Sequence, residues 1–318
     1  MTLNLMVRVS RRIEEADGVC SFELVPQDDQ VLPAFTAGSH IDVHVGPGLI
    51  RQYSLSNDPS ERDRYRIAVL RESASRGGSA GMHEAVDAGQ VLRISAPRNH
   101  FALVAAERSL LLAGGIGVTP ILSMACALHA QGSAFELHYC GRSLSRMAFV
   151  QEMASAAFSS AVKLHPDDVP EQKLDMQQLL AGASEDTHLY VCGPGGFMEH
   201  VLSTARAQGW LEARLHREYF AGTVKALASD GSFEVRLASS GLTCVVPANR
   251  TVVEVLAEQG VDVPTSCEAG VCGTCLTRVL EGTPDHRDTF LTDSERAVND
   301  QFTPCCSRAL TPLLVLDL

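Results

Sequence analysis

Four cysteines near the end of this chain constrain it more than any other feature of its sequence. Cys267, Cys272 and Cys275 follow the spacing C-x4-C-x2-C, and Cys305 lies thirty residues further on. This is the ligand spacing of a plant-type [2Fe–2S] centre, in which four thiolates hold two irons. A four-cysteine zinc site usually has two C-x2-C pairs, and only one such pair is present. The spacing therefore predicts an iron–sulfur cluster, with Cys306 as a second candidate for the fourth ligand.

Two glycines, Gly270 and Gly273, lie between these cysteines. Because glycine tolerates positive φ, we expect a tight loop whose backbone N–H groups turn toward the sulfurs. The other six cysteines are scattered in apolar contexts, and the first residues do not show a signal-peptide pattern. Both observations fit a reducing, cytoplasmic location.

The length and charge of the chain limit its organisation and its partners. At 318 residues it is too long for one typical core, which predicts two or three domains. The net charge of −12 argues against binding to nucleic acid or to an anionic membrane surface. Residues 109–135 contain no Asp, Glu, Lys or Arg, but glycines and Pro120 interrupt this run. We therefore expect a buried strand, a glycine turn and a buried helix there rather than a membrane span.

Residues 1–104 have the pattern of an all-β unit. Turn signals separate six short alternating or β-branched runs, at 5–9, 19–25, 41–45, 51–55, 65–70 and 91–95. Six such strands in about a hundred residues suit a small antiparallel barrel.

Two motifs in this unit suit an anion. Arg51 and Tyr53 alternate along a strand and point to one face, whereas Ser54 points to the other. A guanidinium on a strand suits a phosphate. The glycines at 77, 78 and 81, with the Ser79 hydroxyl, could form a second phosphate contact at the start of a helix.

Residues 105–220 change to alternating strands and helices. The strand at 109–113 leads through Gly114-Gly115-Ile-Gly117-Val-Thr119-Pro120 into a helix at 121–130. Later, the strand at 188–191 leads through Cys192-Gly193-Pro194 into a helix at 197–208. Such units in series predict a parallel sheet that binds its ligand at the carboxyl ends of its strands. The Gly-Gly-x-Gly turn is only part of the dinucleotide fingerprint, although it lets a pyrophosphate approach the backbone.

The rest of the chain predicts a linker and a third unit. Small residues at 221–231 suggest the linker. The third unit contains a hairpin of 233–237 and 243–246, a helix at 252–259 with Thr251 as its N-cap, and a closing strand at 313–316.

Taken together, these motifs resemble the phthalate dioxygenase reductases, one-chain reductases of Rieske-type aromatic oxygenases. The chain is similar in detail to the reductase subunits of vanillate O-demethylases. The motifs that carry the resemblance agree in order and spacing: Arg51-x-Tyr-Ser54, Arg76-Gly-Gly-Ser79, Gly114 to Pro120, Cys192-Gly-Pro194, the cysteine set, Asp285-His-Arg-Asp288, and the end from Ser307-Arg-Ala309 to Leu316-Asp-Leu318.

The resemblance implies a multidomain protein. Its parts would be an antiparallel six-stranded FMN-binding β-barrel (1–104), an α/β parallel-sheet NADH domain (105–222), a linker (223–231) and a C-terminal β-grasp-like, plant-type ferredoxin domain (232–318). FMN is favoured over FAD because no adenine-binding extension follows 51–55.

The resemblance also implies roles for single residues. Arg51 and Ser79 would hold the FMN phosphate, Tyr53 would pack near the isoalloxazine, and Ser54 would hydrogen-bond near flavin N5. Other residues implied at the flavin are Val69, Leu70, Arg71, Gly78, Thr119 and Phe220. Those implied at the nucleotide are Gly114, Gly115, Gly117, Arg142, Cys192, Gly193 and Pro194. The catalytic set would be Ser54, Thr119 and Cys192, and the cluster ligands Cys267, Cys272, Cys275 and Cys305.

The implied reaction passes a hydride from NADH to the flavin and single electrons from there to the cluster and a terminal Rieske-type oxygenase. The protein is expected to act as a monomer. Asp167 and Asp168 would repel a 2′-phosphate and suit NADH, whereas Arg142 could neutralise one. Two alternatives are a reductase for a diiron hydroxylase and a redox sensor. His286 is expected to be a structural hydrogen-bonding residue.

Overall fold

The computed structural model describes residues 4–28, 31–46, 49–72, 77–220, 230–265 and 267–318. It divides into two compact units, Met1–Glu218 and Tyr219–Leu318. Arg76 of the glycine-rich motif and residues 223–229 of the expected linker lie outside the described residues.

The first part of the first unit is an antiparallel barrel. Its elements are β1 (Asn4–Ala16), β2 (Val19–Pro26), β3 (Ser39–Gly46), β4 (Leu49–Ser54), β5 (Tyr65–Leu70), α1 (Gly78–Ala85), β6 (Val91–Ser95) and β7 (Arg98–Asn99). The strand order is β4-β3-β6-β1-β2-β5, with β7 paired to β3. A bridge between Leu55 and Ile67 joins the two ends of this order. The six-stranded antiparallel barrel expected from the sequence is thereby confirmed, with β7 as a short addition.

The second part of the first unit is a parallel sheet with helices. Its elements are β8 (Arg108–Gly114), α2 (Val118–Ala130), β9 (Ala134–Gly141), α3 (Val150–Ser155), β10 (Val162–Pro166), α4 (Met176–Ala181), β11 (Thr187–Cys192), α5 (Gly195–Ala207) and β12 (Leu215–Glu218). The strand order β10-β9-β8-β11-β12 is parallel throughout. The chain leaves β8 toward one side and later returns to β11 on the other, so the carboxyl ends of β8 and β11 form the switch point where such sheets bind ligands.

The uncharged run at 109–135 forms most of β8, the glycine turn, α2 and the first residues of β9, as expected. Across the described ranges, no helix combines the length and apolar character needed to cross a bilayer.

The second unit is a small mixed sheet with helices. Its elements are β13 (Phe233–Leu237), β14 (Thr243–Val246), α6 (Val252–Glu258), β15 (Thr277–Glu281), β16 (Pro284–Asp285), α7 (Asp293–Val298), β17 (Gln301–Phe302), β18 (Arg308–Ala309) and β19 (Leu313–Leu316). The main strand order is β14-β13-β19-β15-β17. Thr251 and Glu254 cap α6 reciprocally, and Leu256 packs on the core formed by Val235 and Leu314. This is the arrangement expected of a β-grasp-like unit.

Candidate functional site

Arg51 and the first turn of α1 lie together on the barrel. A Cβ added at Gly78 would stand 2.6 Å from Arg51 Cγ and Nε, so the arginine stem crosses the helix at a position that only glycine leaves open. Arg51 Nη1 donates to the Ile50 carbonyl oxygen at 2.7 Å. The Ser79 hydroxyl accepts the Glu72 backbone N–H at 3.1 Å and can still donate its own proton. A guanidinium, a hydroxyl and a helix N-terminus therefore converge, which suits an anion.

The other residues expected at the flavin occupy different environments. Tyr53 is half-buried, and burial raises the pKa of its phenol. Val69 is 1% exposed in the barrel core, and its carbonyl lies 2.8 Å from His83 Nε2. Leu70 packs on the core of the parallel-sheet part, as Ile116 does. Arg71 is exposed and pairs with Glu84 (Nη2 to Oε1, 2.5 Å). Of the three residues at the end of β5, only the Leu70 side chain thus lies between the barrel and the parallel sheet.

A polar cluster joins the barrel to the end of the parallel sheet. Ser54 Oγ donates to Glu218 Oε2 at 3.1 Å, and His40 Nδ1 lies 4.0 Å from Glu218 Oε1. His40 is paired with Ser54 across β3 and β4, and Cys192 is paired with Glu218 across β11 and β12. Two of the expected catalytic residues, Ser54 and Cys192, therefore meet around Glu218, a residue to which sequence reasoning gave no role.

Burial keeps this cluster uncharged near neutral pH. It raises the pKa of Glu218 to about 8, although the hydrogen bond from Ser54 opposes the rise. It lowers the pKa of His40 to about 4, and the charges of Arg98 and His100 add to this effect. It also raises the pKa of Cys192, with Glu218 as the next cause. Glu218 can therefore accept or release a proton at physiological pH, while the thiol of Cys192 stays protonated.

The glycines after β8 and β11 have two different functions. A Cβ at Gly117 would stand 2.3 Å from the Cys192 carbonyl oxygen, and one at Gly193 would stand 2.9 Å from Gly114 Cα. These glycines let the two loops touch backbone to backbone. Gly114 similarly makes room for the Phe197 ring, 2.8 Å from its added Cβ. Gly115 has φ +53°, and no described atom lies within 4 Å of its added Cβ, so its position leaves open space for a ligand.

Pro194 and Arg142, expected at the nucleotide, and Thr119, expected at the flavin, lie at the carboxyl ends of the strands of the sheet. Thr119 is 2% exposed in the first turn of α2, and its hydroxyl donates to the Ile116 carbonyl oxygen at 3.1 Å. Pro194 is exposed at the start of α5. Arg142 is exposed just after β9, and Asp167 follows β10 beside it, its N–H donating to the Gly141 carbonyl oxygen at 2.7 Å. Phe220 belongs to the second unit and is 39% exposed.

The four cysteines expected to hold the iron–sulfur cluster form two pairs in the second unit. Cys267 hydrogen-bonds Cys272, and this lowers the pKa of Cys272. Cys305 hydrogen-bonds both Cys275 and Cys306, and this raises the pKa of Cys305. Within the described ranges, no three potential ligands lie close enough together to hold a single metal ion. Two thiol pairs suit two irons with two thiolates each, the ligand count of a plant-type centre.

Backbone N–H groups turn toward these sulfurs, as the glycine spacing predicts. Ala269 N–H donates to Cys267 Sγ and Thr274 N–H to Cys272 Sγ, each at 3.4 Å. Gly270 and Gly273 have φ of +71° and +68°. Cys306 Sγ instead lies 3.2 Å from Thr303 Oγ1, within a buried group of hydroxyls. The geometry therefore suits Cys305 as the fourth ligand and Cys306 as a packing residue.

Glu218→Gln is expected to stabilise the protein at alkaline pH. The folded-state pKa of about 8 lies above the ordinary value of 4.5, so the wild-type carboxyl costs stability progressively as pH rises from 4.5 through 8. The variant should gain up to about 4 kcal/mol in the free energy of unfolding at pH 8.5, and less than about 1 kcal/mol at pH 5. Urea unfolding at both values measures this. Equal effects at both pH values would contradict it. The matched control is Glu212→Gln, because ion pairing lowers the pKa of that exposed carboxyl instead.

Comparison with known proteins gives three findings. Residues 235–310 match the family model described as a 2Fe-2S iron-sulfur cluster binding domain. Vanillate O-demethylase oxidoreductase of Pseudomonas putida is 58% identical, over 98% of this chain and 98% of that protein. Phthalate dioxygenase reductase of Burkholderia cepacia is 39% identical, over 99% of this chain and 97% of that protein.

A solved structure extends the likeness to three dimensions. It is described as phthalate dioxygenase reductase, a modular structure for electron transfer from pyridine nucleotides to [2Fe-2S]. Its chain is 39% identical, with a TM-score of 0.78 over 99% of this chain and 98% of that one.

Proposed function

Because this chain belongs to the family of phthalate dioxygenase reductases and vanillate O-demethylase oxidoreductases, we propose that it carries electrons from NADH, through FMN and a [2Fe–2S] cluster, to a terminal Rieske-type oxygenase. When bound, FMN takes up two electrons as a hydride and gives them up singly, and the cluster takes one at a time. One observation carries the proposal: a single chain combines three sites. These are the anion site at Arg51 and the start of α1, the switch point at the carboxyl ends of β8 and β11, and the two cysteine pairs.

The residues at Arg51 fit the phosphate of FMN. The guanidinium supplies a positive charge and paired N–H donors, and Ser79 supplies a hydroxyl. Because Gly78 has no side chain, Arg51 can lie directly against the N-terminus of α1. Tyr53 lies on the same face of β4 as Arg51 and would support the ring system. Ser54 lies on the other face, where its bond to Glu218 fixes the hydroxyl at the seam.

The end of β8 fits the pyrophosphate of a nicotinamide nucleotide. Gly115 leaves the backbone open, and the N-terminus of α2 stabilises negative charge. Cys192 and Glu218 at the ends of β11 and β12 then bound the space beside Ser54. The chain's own contribution is to orient the two cofactors, exclude water at buried Thr119 and Cys192, and hold a proton at Glu218.

Purified protein loaded with FMN and iron should reduce cytochrome c rapidly with NADH. Asp167 and Asp168, exposed at the edge where a ribose would lie, disfavour a 2′-phosphate. We therefore expect kcat/KM to be at least about tenfold higher with NADH than with NADPH, an effect of about 1.4 kcal/mol. Steady-state kinetics with both coenzymes measures the ratio. No turnover with either coenzyme would overturn the proposed function.

The double change Asp167→Asn and Asp168→Asn should narrow the preference for NADH by raising kcat/KM for NADPH. Removing two negative charges leaves Arg142 as the nearby charge, which favours a phosphate. Asp186→Asn is the matched control, because this exposed carboxylate precedes β11 at the opposite edge of the sheet. An unchanged ratio in the double variant would show that these carboxylates do not set the preference.

The partner and the setting of the protein belong to the same proposal. The relatives' names place those proteins in oxygenase systems, which supports a Rieske-type oxygenase as the electron acceptor here. All ten cysteines lie in the described residues and none is in a disulfide, which supports a reducing cytoplasm. We propose a monomer, in keeping with a net charge of −12. Light scattering and reconstitution with candidate oxygenases test the assembly and the partner.

A further inference from the structure

Residues 285–291, called here the brace, press against the loop that carries three of the cysteines. A Cβ added at Gly270 would stand 2.9 Å from Asp288 Cα, and one at Gly273 would stand 2.2 Å from Cζ of Phe290. The Thr289 backbone N–H donates to the Gly270 carbonyl oxygen at 2.9 Å. The brace therefore touches the loop on both sides of Cys272, without any side chain of the loop between them.

The brace contains one buried carboxylate, on Asp288. Its side chain is fully buried, and its Oδ2 accepts the backbone N–H groups of Phe290 (3.1 Å) and Leu291 (2.7 Å). Its Oδ1 is also buried and has no hydrogen-bond partner among the residues that the structure describes. His286 Nδ1 lies 3.8 Å from Oδ1, too far for a hydrogen bond, and neither ring nitrogen has a partner among the described residues, so the structure does not show the hydrogen-bonding role expected of His286.

The positive charges near Asp288 compensate the charge of its carboxylate only in part. Arg296 Nη2 lies 3.8 Å from Asp288 Oδ2 and donates to the Asp288 carbonyl oxygen, while its Nη1 lies 3.6 Å from Asp293 Oδ1. Arg287 of the brace is paired with Asp230 and Asp285 instead. The carboxylate of Asp288 therefore lies against the cysteine loop, and Arg296, at 3.8 Å, offsets its charge only in part.

We propose that Asp288 is a positioning residue that sets the reduction potential of the cluster: its carboxylate lowers the potential, and Arg296 raises it. This inference rests on the proposed function only in requiring a bound cluster. Adding an electron beside a buried negative charge is unfavourable, because the low local dielectric screens the repulsion weakly. Charge, hydrogen bonding and solvent exposure are the means by which a protein tunes such a cluster.

Asp288→Asn tests the charge with little change of shape, because its amide oxygen can still accept the two backbone N–H bonds. We expect the equilibrium constant for one-electron reduction of the cluster to rise about tenfold, which is about 59 mV. Arg296→Gln should shift the potential in the opposite direction. Asp293→Asn is the matched control, since its carboxylate is fully exposed and lies beside the same Arg296, and it should shift the potential least. Spectroelectrochemical titration, with electron paramagnetic resonance of the reduced cluster, measures all three.

The outcomes separate this inference from the proposed function. A wild-type protein that never shows a [2Fe–2S] spectrum would overturn both. A normal spectrum with Asp288→Asn and Asp293→Asn shifted equally would overturn the charge effect alone. If Asp288→Asn does not assemble a cluster, Arg296→Gln decides: a lowered potential supports the inference, and an unchanged or raised potential overturns it.

Discussion

Cys305→Ser is expected to abolish electron delivery beyond the flavin, whereas Cys306→Ser should leave it nearly intact. Cys305 is 4% exposed and hydrogen-bonds Cys275 as well as Cys306, so it completes the second thiol pair. Cys306 is turned to Thr303 Oγ1, a contact that serine can keep. Changes to residues that only support metal ligands cost about 10- to 100-fold, so loss of a ligand should lower cytochrome c reduction at least about 100-fold.

Three measurements check this pair of variants. Iron content and the visible spectrum should show loss of the cluster in Cys305→Ser alone. Ferricyanide reduction with NADH should persist in both variants, because it can proceed from the flavin. The reverse pattern, with the cluster lost only in Cys306→Ser, would assign the fourth ligand to Cys306. Equal loss of ferricyanide and cytochrome c reduction in Cys305→Ser would contradict the order of the cofactors.

The sequence predicted best those elements whose own pattern decides their structure. The strand β13 alternates buried and exposed residues from Phe233 to Leu237, and β19 ends at the expected positions. The Thr251 cap was predicted from its residue type, and the structure adds Glu254 as its reciprocal partner. The two-residue strands β7, β16, β17 and β18 were not predicted, because two residues carry no periodicity and depend on their partners.

The second half of β1 shows how tertiary pairing overrides a local pattern. The run predicted as a strand stopped at Val9, because Arg11, Arg12, Glu14 and Glu15 follow and break the alternation. The strand in fact continues to Ala16 against β2, with register shifts between Val9 and Arg11 and between Glu14 and Ala16. Bulges of this kind let a polar segment stay paired while its side chains reach solvent.

Short motifs predict the candidate residues of the site, whereas contacts between residues far apart in the sequence could not be predicted. Arg51, the glycine loops and the cysteines follow from short motifs whose residue types are themselves the evidence. Glu218 ends a short polar strand, and its burial depends on Ser54, which lies 164 positions away in the sequence. A single sequence gives no sign of that contact.

Gly117→Ala is expected to disrupt the nucleotide site more than a glycine-to-alanine change at any other glycine after β8 or β11. Its Cβ would stand 2.3 Å from the Cys192 carbonyl oxygen, 2.4 Å from its carbonyl carbon and 2.6 Å from the Gly193 nitrogen. All three are backbone atoms, so no side chain can rotate away and the loops after β8 and β11 must separate. Overpacking of this kind costs about 1–3 kcal/mol in the free energy of unfolding.

The catalytic consequence should exceed the loss of stability. Moving the loop after β11 also moves Cys192 and, through the paired strand, Glu218 and its bond to Ser54. Because a displacement of about 1 Å can cost roughly 100-fold, kcat/KM with NADH should fall by about that factor, while the cluster spectrum in the second unit stays unchanged. Gly196→Ala is the matched control: nothing lies within 4 Å of its added Cβ, and alanine in a helix gains about 0.5–1 kcal/mol over glycine. Urea unfolding and steady-state kinetics of both variants decide whether close contact between the two loops, rather than the number of glycines, builds the site.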